Sequence, residues 1–70
     1  MPLYSIMIDN HECTAVESTL LGMYPGLEII SHPLIFSRIY ELELTKNEYT
    51  FLALKHKLPP HRTHILRKYP

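Results

Sequence analysis

Between Arg38 and Leu44 the chain alternates without a break, with Tyr40, Leu42 and Leu44 on one side of an extended backbone and Ile39, Glu41 and Glu43 on the other. A period of two marks a strand with one face on a core and the other largely in water. Pro2 to Ile8 carries Leu3, Tyr4, Ile6, Met7 and Ile8 with only Ser5 as a polar interruption, which predicts an earlier strand buried on at least one face. Leu27 to His32 predicts a strand between these two. Pro33 should end it, because proline has no amide proton to give to a ladder.

The pattern switches to spacings of three and four in two places. Cys13, Val16, Leu20 and Met23 form one apolar stripe, leaving Glu12, Glu17 and Ser18 for water. Asp9 and Glu12 stand in capping-box spacing, so this helix is predicted to start at Asn10 and to end at Gly22 and the Tyr24-Pro25-Gly26 turn. Thr45 and Glu48 repeat the capping box, and Leu44 can staple onto Tyr49. That local chemistry favours a helix from Lys46 to about Lys57 over the strand that Tyr49-Thr50-Phe51 would suit. Leu58-Pro59-Pro60 breaks it, and Thr63 to Tyr69 is long enough for a last strand.

The predicted order is strand, helix, strand, strand, helix, strand. It matches a ferredoxin-like βαββαβ arrangement of α+β class: a four-stranded antiparallel sheet with two helices on one face and the other face open. Without the last strand, a βαββα domain with a basic tail is the fallback. Residues 1–70 are short enough to be one domain, and a domain of this size buries only about 60% of the surface its unfolded chain exposes. The single cysteine, Cys13, allows no internal disulfide, which leaves a metal or self-association as external support.

Charge sharpens the picture. The last sixteen residues, Lys55 to Pro70, hold five Lys/Arg, three His and no carboxylate, whereas the first 45 hold six acids against Arg38 alone. The net charge of zero therefore conceals a polar molecule with a basic end. No apolar run approaches the roughly 18 residues that span a bilayer, and the start lacks the basic n-region of a signal peptide. A cytoplasmic protein with no membrane partner is expected.

Catalytic equipment is sparse. There is no G-x-S-x-G, Walker loop or dinucleotide fingerprint, and the only glycines are Gly22 and Gly26. His56, His61 and His64, with His11 and Cys13, contain donors that zinc accepts, but their spacing fits no standard site, so neither metal nor cofactor is expected. Met1-Pro2 before an apolar strand resembles the start of the tautomerase family, where a freed N-terminal proline acts as the base. With Met1 in place the Pro2 nitrogen is an amide, and the long helix and arginine pattern of that family are missing. Leu44-Thr45-Lys46-Asn47-Glu48-Tyr49 with Leu52 resembles the first helix of response-regulator winged-helix domains, but too few residues follow for a recognition helix and wing.

The expectation is a non-enzymatic protein-binding module: an adaptor, inhibitor or regulatory subunit, in size like many phage-encoded inhibitors. Six candidate partner-binding residues are Leu34, Ile35, Phe36, Arg62, His64 and Arg67, and Lys68 is a seventh. Leu34 to Phe36 is a large apolar run in a connection, expected to fold back under the sheet or to form part of an interface. Arg62, His64, Arg67 and Lys68 should form a charged edge next to the open sheet, and a place for Arg62, Arg67 and Lys68 beside strand three would let Glu41 and Glu43 complement them within one copy or between copies. Nucleic-acid binding through Lys55 to Lys68 is the first alternative, and a small tautomerase-like or metal-dependent enzyme the second.

Overall fold

Residues 2–67 are described by the computed structural model. Alternation sorts the two faces of its sheet. In β1 (Leu3–Asp9) Tyr4, Ile6 and Ile8 are buried, and in β3 (Ser37–Glu43) Tyr40 and Leu42 join them, as does Leu44 just beyond the strand. The register pairs Tyr4 with Leu42 and Ile6 with Tyr40 across the two central strands. The opposite face pairs Leu3 with Glu43, Ser5 with Glu41 and Met7 with Ile39.

Both helices cover the apolar face. α1 (Cys13–Met23) buries Cys13, Val16 and Leu20 of the predicted stripe and leaves Met23 half-buried, and α2 (Lys46–His56) buries Leu52 in the same cluster. β2 (Ile30–Pro33) lies outside β3, and β4 (Thr63–Arg67) lies outside β1. The strand order is β2-β3-β1-β4 with every neighbouring pair antiparallel, an α+β fold compatible with the ferredoxin-like order.

The two capping boxes have different fates. At α2 both bonds form: the Glu48 amide donates to Thr45 Oγ1 at 3.2 Å and the Thr45 amide to Glu48 Oε1 at 2.7 Å. At the first helix neither does. Asn10–Glu12 is a 3-10 turn, the α-helix begins at Cys13, and Asp9 makes no cap bond. Its Oδ1 instead accepts from Arg62 Nη1 at 2.6 Å, across 53 residues of sequence, because a guanidinium is a stronger partner than a backbone amide. Thr45→Ala should therefore lower stability by about 1 kcal/mol in urea unfolding, and Asp9→Asn should leave the start of α1 where it is in amide NMR shifts.

Two edges depart from expectation. β2 is shorter than Leu27 to His32 because Leu27 and Ile29 pack sideways onto the core. Pro33 is its last residue, paired with Arg38, which an edge strand tolerates. β4 pairs with β1, so β1 stands between Arg62 or Arg67 and the glutamates of β3. The expected neighbourhood of the basic edge and Glu41 or Glu43 is thus not formed.

α2 is clipped down at its start by Tyr49, whose ring stacks on Tyr4 with centroids 4.5 Å apart and whose hydroxyl donates to Thr63 Oγ1 at 3.0 Å. At its end Lys57 takes the left-handed conformation, φ 53°, and closes the helix with its amide on the Ala53 carbonyl.

Candidate functional site

The connection from β2 to β3 is a short hairpin closed by its own base and held at its tip from outside. The Leu34 amide donates to the Ser37 carbonyl at 2.8 Å. Asn10 then binds two successive tip carbonyls, its amide donating to Phe36 O at 3.0 Å and its side-chain Nδ2 to Ile35 O at 3.1 Å. With those carbonyls tied down, the side chains project outward: Ile35 and Phe36 are each 83% exposed, and Leu34 is 47% exposed. The expectation that this run folds under the sheet is overturned, because the space beneath is filled by the side chains of α1, α2, β1 and β3.

The other predicted partner residues are spread along β1 and its edge. Arg62 is held by Asp9 at 2.6 Å and is largely covered, so its charge is already engaged. His64 is exposed on the open face opposite Ser5, and Arg67 pairs through its backbone with Leu3 at the far end of β1. Lys68 lies outside the described residues. Arg62 thus stands at the Asp9 end of β1 and the Arg67 backbone at the Leu3 end, along the β4 edge of the sheet.

Beside the hairpin, between α1 and the inward side of β2, runs a groove of about 600 Å³ lined by Asn10, Thr14, Glu17, Ser31 and Arg38. Its floor carries a polar contact that links sheet to helix. Tyr40, fully buried, donates its hydroxyl to Glu17 Oε2 at 2.5 Å. Burial, followed by the neighbouring Cys13 and Glu17 side chains, pushes the phenol's pKa far up, so Tyr40 stays protonated across all ordinary pH. Arg38 Nη1 donates to Ser31 Oγ at 2.9 Å. Cys13 points its thiol at the carbonyls of Ile8 and Asp9, at 3.7 and 3.5 Å, and is a small buried residue rather than an exposed nucleophile.

Glu17, assigned to water by the helix pattern, is thus part of this groove. The sequence held one sign of it: a tyrosine on the core side of a strand needs a hydrogen-bond partner somewhere above it. The histidines are dispersed. His56 Nε2 meets Thr19 Oγ1 at 2.8 Å between the helices, and His32 Nε2 meets Glu41 Oε2 at 2.6 Å on the open face. Among the described residues no three His, Cys, Asp or Glu side chains are placed to hold a metal ion, and no helix is long and apolar enough to cross a membrane. No protein-family model, no curated protein and no solved structure matches the chain.

Proposed function

We propose that the chain is a small non-enzymatic protein-binding module, an adaptor, inhibitor or regulatory subunit, that docks a protein partner with its β2–β3 hairpin tip. The observation that carries this reading is the exposure of Ile35 and Phe36 on a tip whose two carbonyls are both held by Asn10. A buried phenylalanine or isoleucine contributes roughly 1.5–3 kcal/mol when it leaves water. Anchors that are already ordered avoid much of the entropy cost of association, and interface energy concentrates in a few such side chains. Charge favours protein over nucleic acid as the partner. Arg62 is engaged by Asp9, and Glu41 and Glu43 put negative charge on the open face, the wrong sign for phosphates. The lone buried thiol of Cys13 suits a cytoplasmic setting.

The test is a comparison of wild type with Ile35→Ser/Phe36→Ser as baits in extract of the native host. Both side chains stand in solvent, so the double variant should keep the wild-type amide spectrum and melting curve. Wild type should retain one defined protein, which then binds the purified module at least about tenfold more tightly than it binds the variant. Equal binding by both baits would refute the tip as the anchor. Capture that disappears on nuclease treatment would turn the reading to nucleic acid.

A further inference from the structure

Two opposite charges face the groove between α1 and the hairpin without meeting. Glu17 enters from the helix and accepts from the Tyr40 hydroxyl, and Arg38 enters from β3 and donates to the Ser31 hydroxyl. Both are half-buried, and each has a neutral hydrogen-bond partner. Neither appears in an ion pair among the described residues, where the pairs joined are Arg62 with Asp9, His32 with Glu41 and His11 with Glu12. A partly desolvated charge gains from a counter-charge more than an exposed one does. A guanidinium has five N–H donors, so the bond to Ser31 leaves Arg38 well able to take a carboxylate in a fork, and Glu17 keeps its second oxygen for a cation.

We propose that this groove binds a small zwitterion of the free amino-acid kind, with the ligand's carboxylate on Arg38 and its ammonium on Glu17. The pairing sets the class of ligand. A simple anion would be repelled by Glu17 and a simple cation by Arg38, so a molecule carrying both charges is favoured over either alone. The volume of about 600 Å³ lies in the range of small-molecule sites. Asn10, Thr14 and Ser31 supply further hydrogen-bonding groups around the charged pair, and Ile29 with Leu34 gives an apolar wall for a side chain. Tyr40 acts as a positioning residue. Its proton, held on the phenol, fixes the Glu17 carboxylate over the groove.

The experiment is an amide NMR titration of the whole chain with each free L-amino acid at millimolar concentration. The tightest of them is then compared with its N-acetyl and its C-terminal amide forms. The proposal expects saturable shifts at Thr14, Glu17, Ser31 and Arg38, and a loss of about two- to fivefold in affinity for each blocked form, the worth of one partly exposed ion pair. Arg38→Gln should bind the free acid and its amide alike. Glu17→Gln, whose side-chain oxygen still accepts from Tyr40, should bind the free and the acetylated forms alike. The absence of saturable shifts in the groove with every amino acid overturns the proposal, as does equal affinity of wild type for free and blocked forms. Spectra of the variants without ligand separate a lost site from a lost fold.

Discussion

Leu52→Ala is expected to lower the stability of the domain by about 2–5 kcal/mol, the range for removing a buried leucine from a packed core. Leu52 is the fully buried residue of α2, flanked by the partly buried Tyr49 and Ala53, while Phe51, Leu54 and Lys55 face solvent. At roughly 0.05–0.15 kcal/mol per residue, a domain of this size has a total stability of about 4–10 kcal/mol. One methylene-rich side chain thus carries a large share of what holds the helix layer to the sheet. Leu54→Ala, two positions along and 76% exposed, should change stability by less than about 0.5 kcal/mol. Urea unfolding followed by circular dichroism measures both. A Leu52→Ala cost below about 1 kcal/mol would mean that α2 is anchored chiefly by the Tyr49–Tyr4 stack and by Leu58.

Locally encoded features were legible in the chain. The alternation from Arg38 to Leu44 placed Tyr40, Leu42 and Leu44 correctly on one face, and the stripe of α1 placed Cys13, Val16 and Leu20 in the core. Both patterns depend only on backbone geometry and on the exclusion of water from one side. The Thr45–Glu48 box was legible for the same reason, since all of its donors and acceptors lie within four residues. Asp9 and Glu12 offer the same spacing, yet Arg62 claims the Asp9 carboxylate once β4 is laid beside β1. A pattern cannot report a competitor 53 residues away.

The candidate sites were legible to different depths. Leu34 to Phe36 stood out as apolar residues in a connection, but whether they turn inward depended on Asn10, from another part of the chain, taking up the tip carbonyls. The pairing of the basic residues with Glu41 and Glu43 was not legible, because strand order decides neighbours and composition does not reveal that β1 separates β4 from β3. The groove was least visible. Glu17 and Arg38 are ordinary surface charges in one dimension, and only the meeting of α1 with the β2–β3 hairpin brings them to the same cavity.

Tyr40 makes the protein sensitive to alkali. Buried, close to Cys13 and donating to Glu17 on the facing helix, its phenol holds its proton well above the ordinary tyrosine range. In the unfolded chain the same group ionises near pH 10. Above that point the unfolded state has released a proton that the folded state retains, so stability falls as pH rises. The contribution is complete below about pH 10 and is lost above it at about 1.4 kcal/mol per pH unit. Tyr40→Phe should cost about 1.5–3 kcal/mol at pH 8, the worth of a hydrogen bond to a charged group, while removing this slope. Groups shared by the two proteins cancel in the comparison. Wild type should therefore begin with the higher urea midpoint, lose its lead as pH rises, and fall below the phenylalanine variant roughly one to two units above pH 10. Urea midpoints measured at closely spaced pH values from 8 upward give both curves. Parallel curves would show that the Tyr40 proton is not held by the fold, and with it the link from the sheet through Glu17 to the groove would fail.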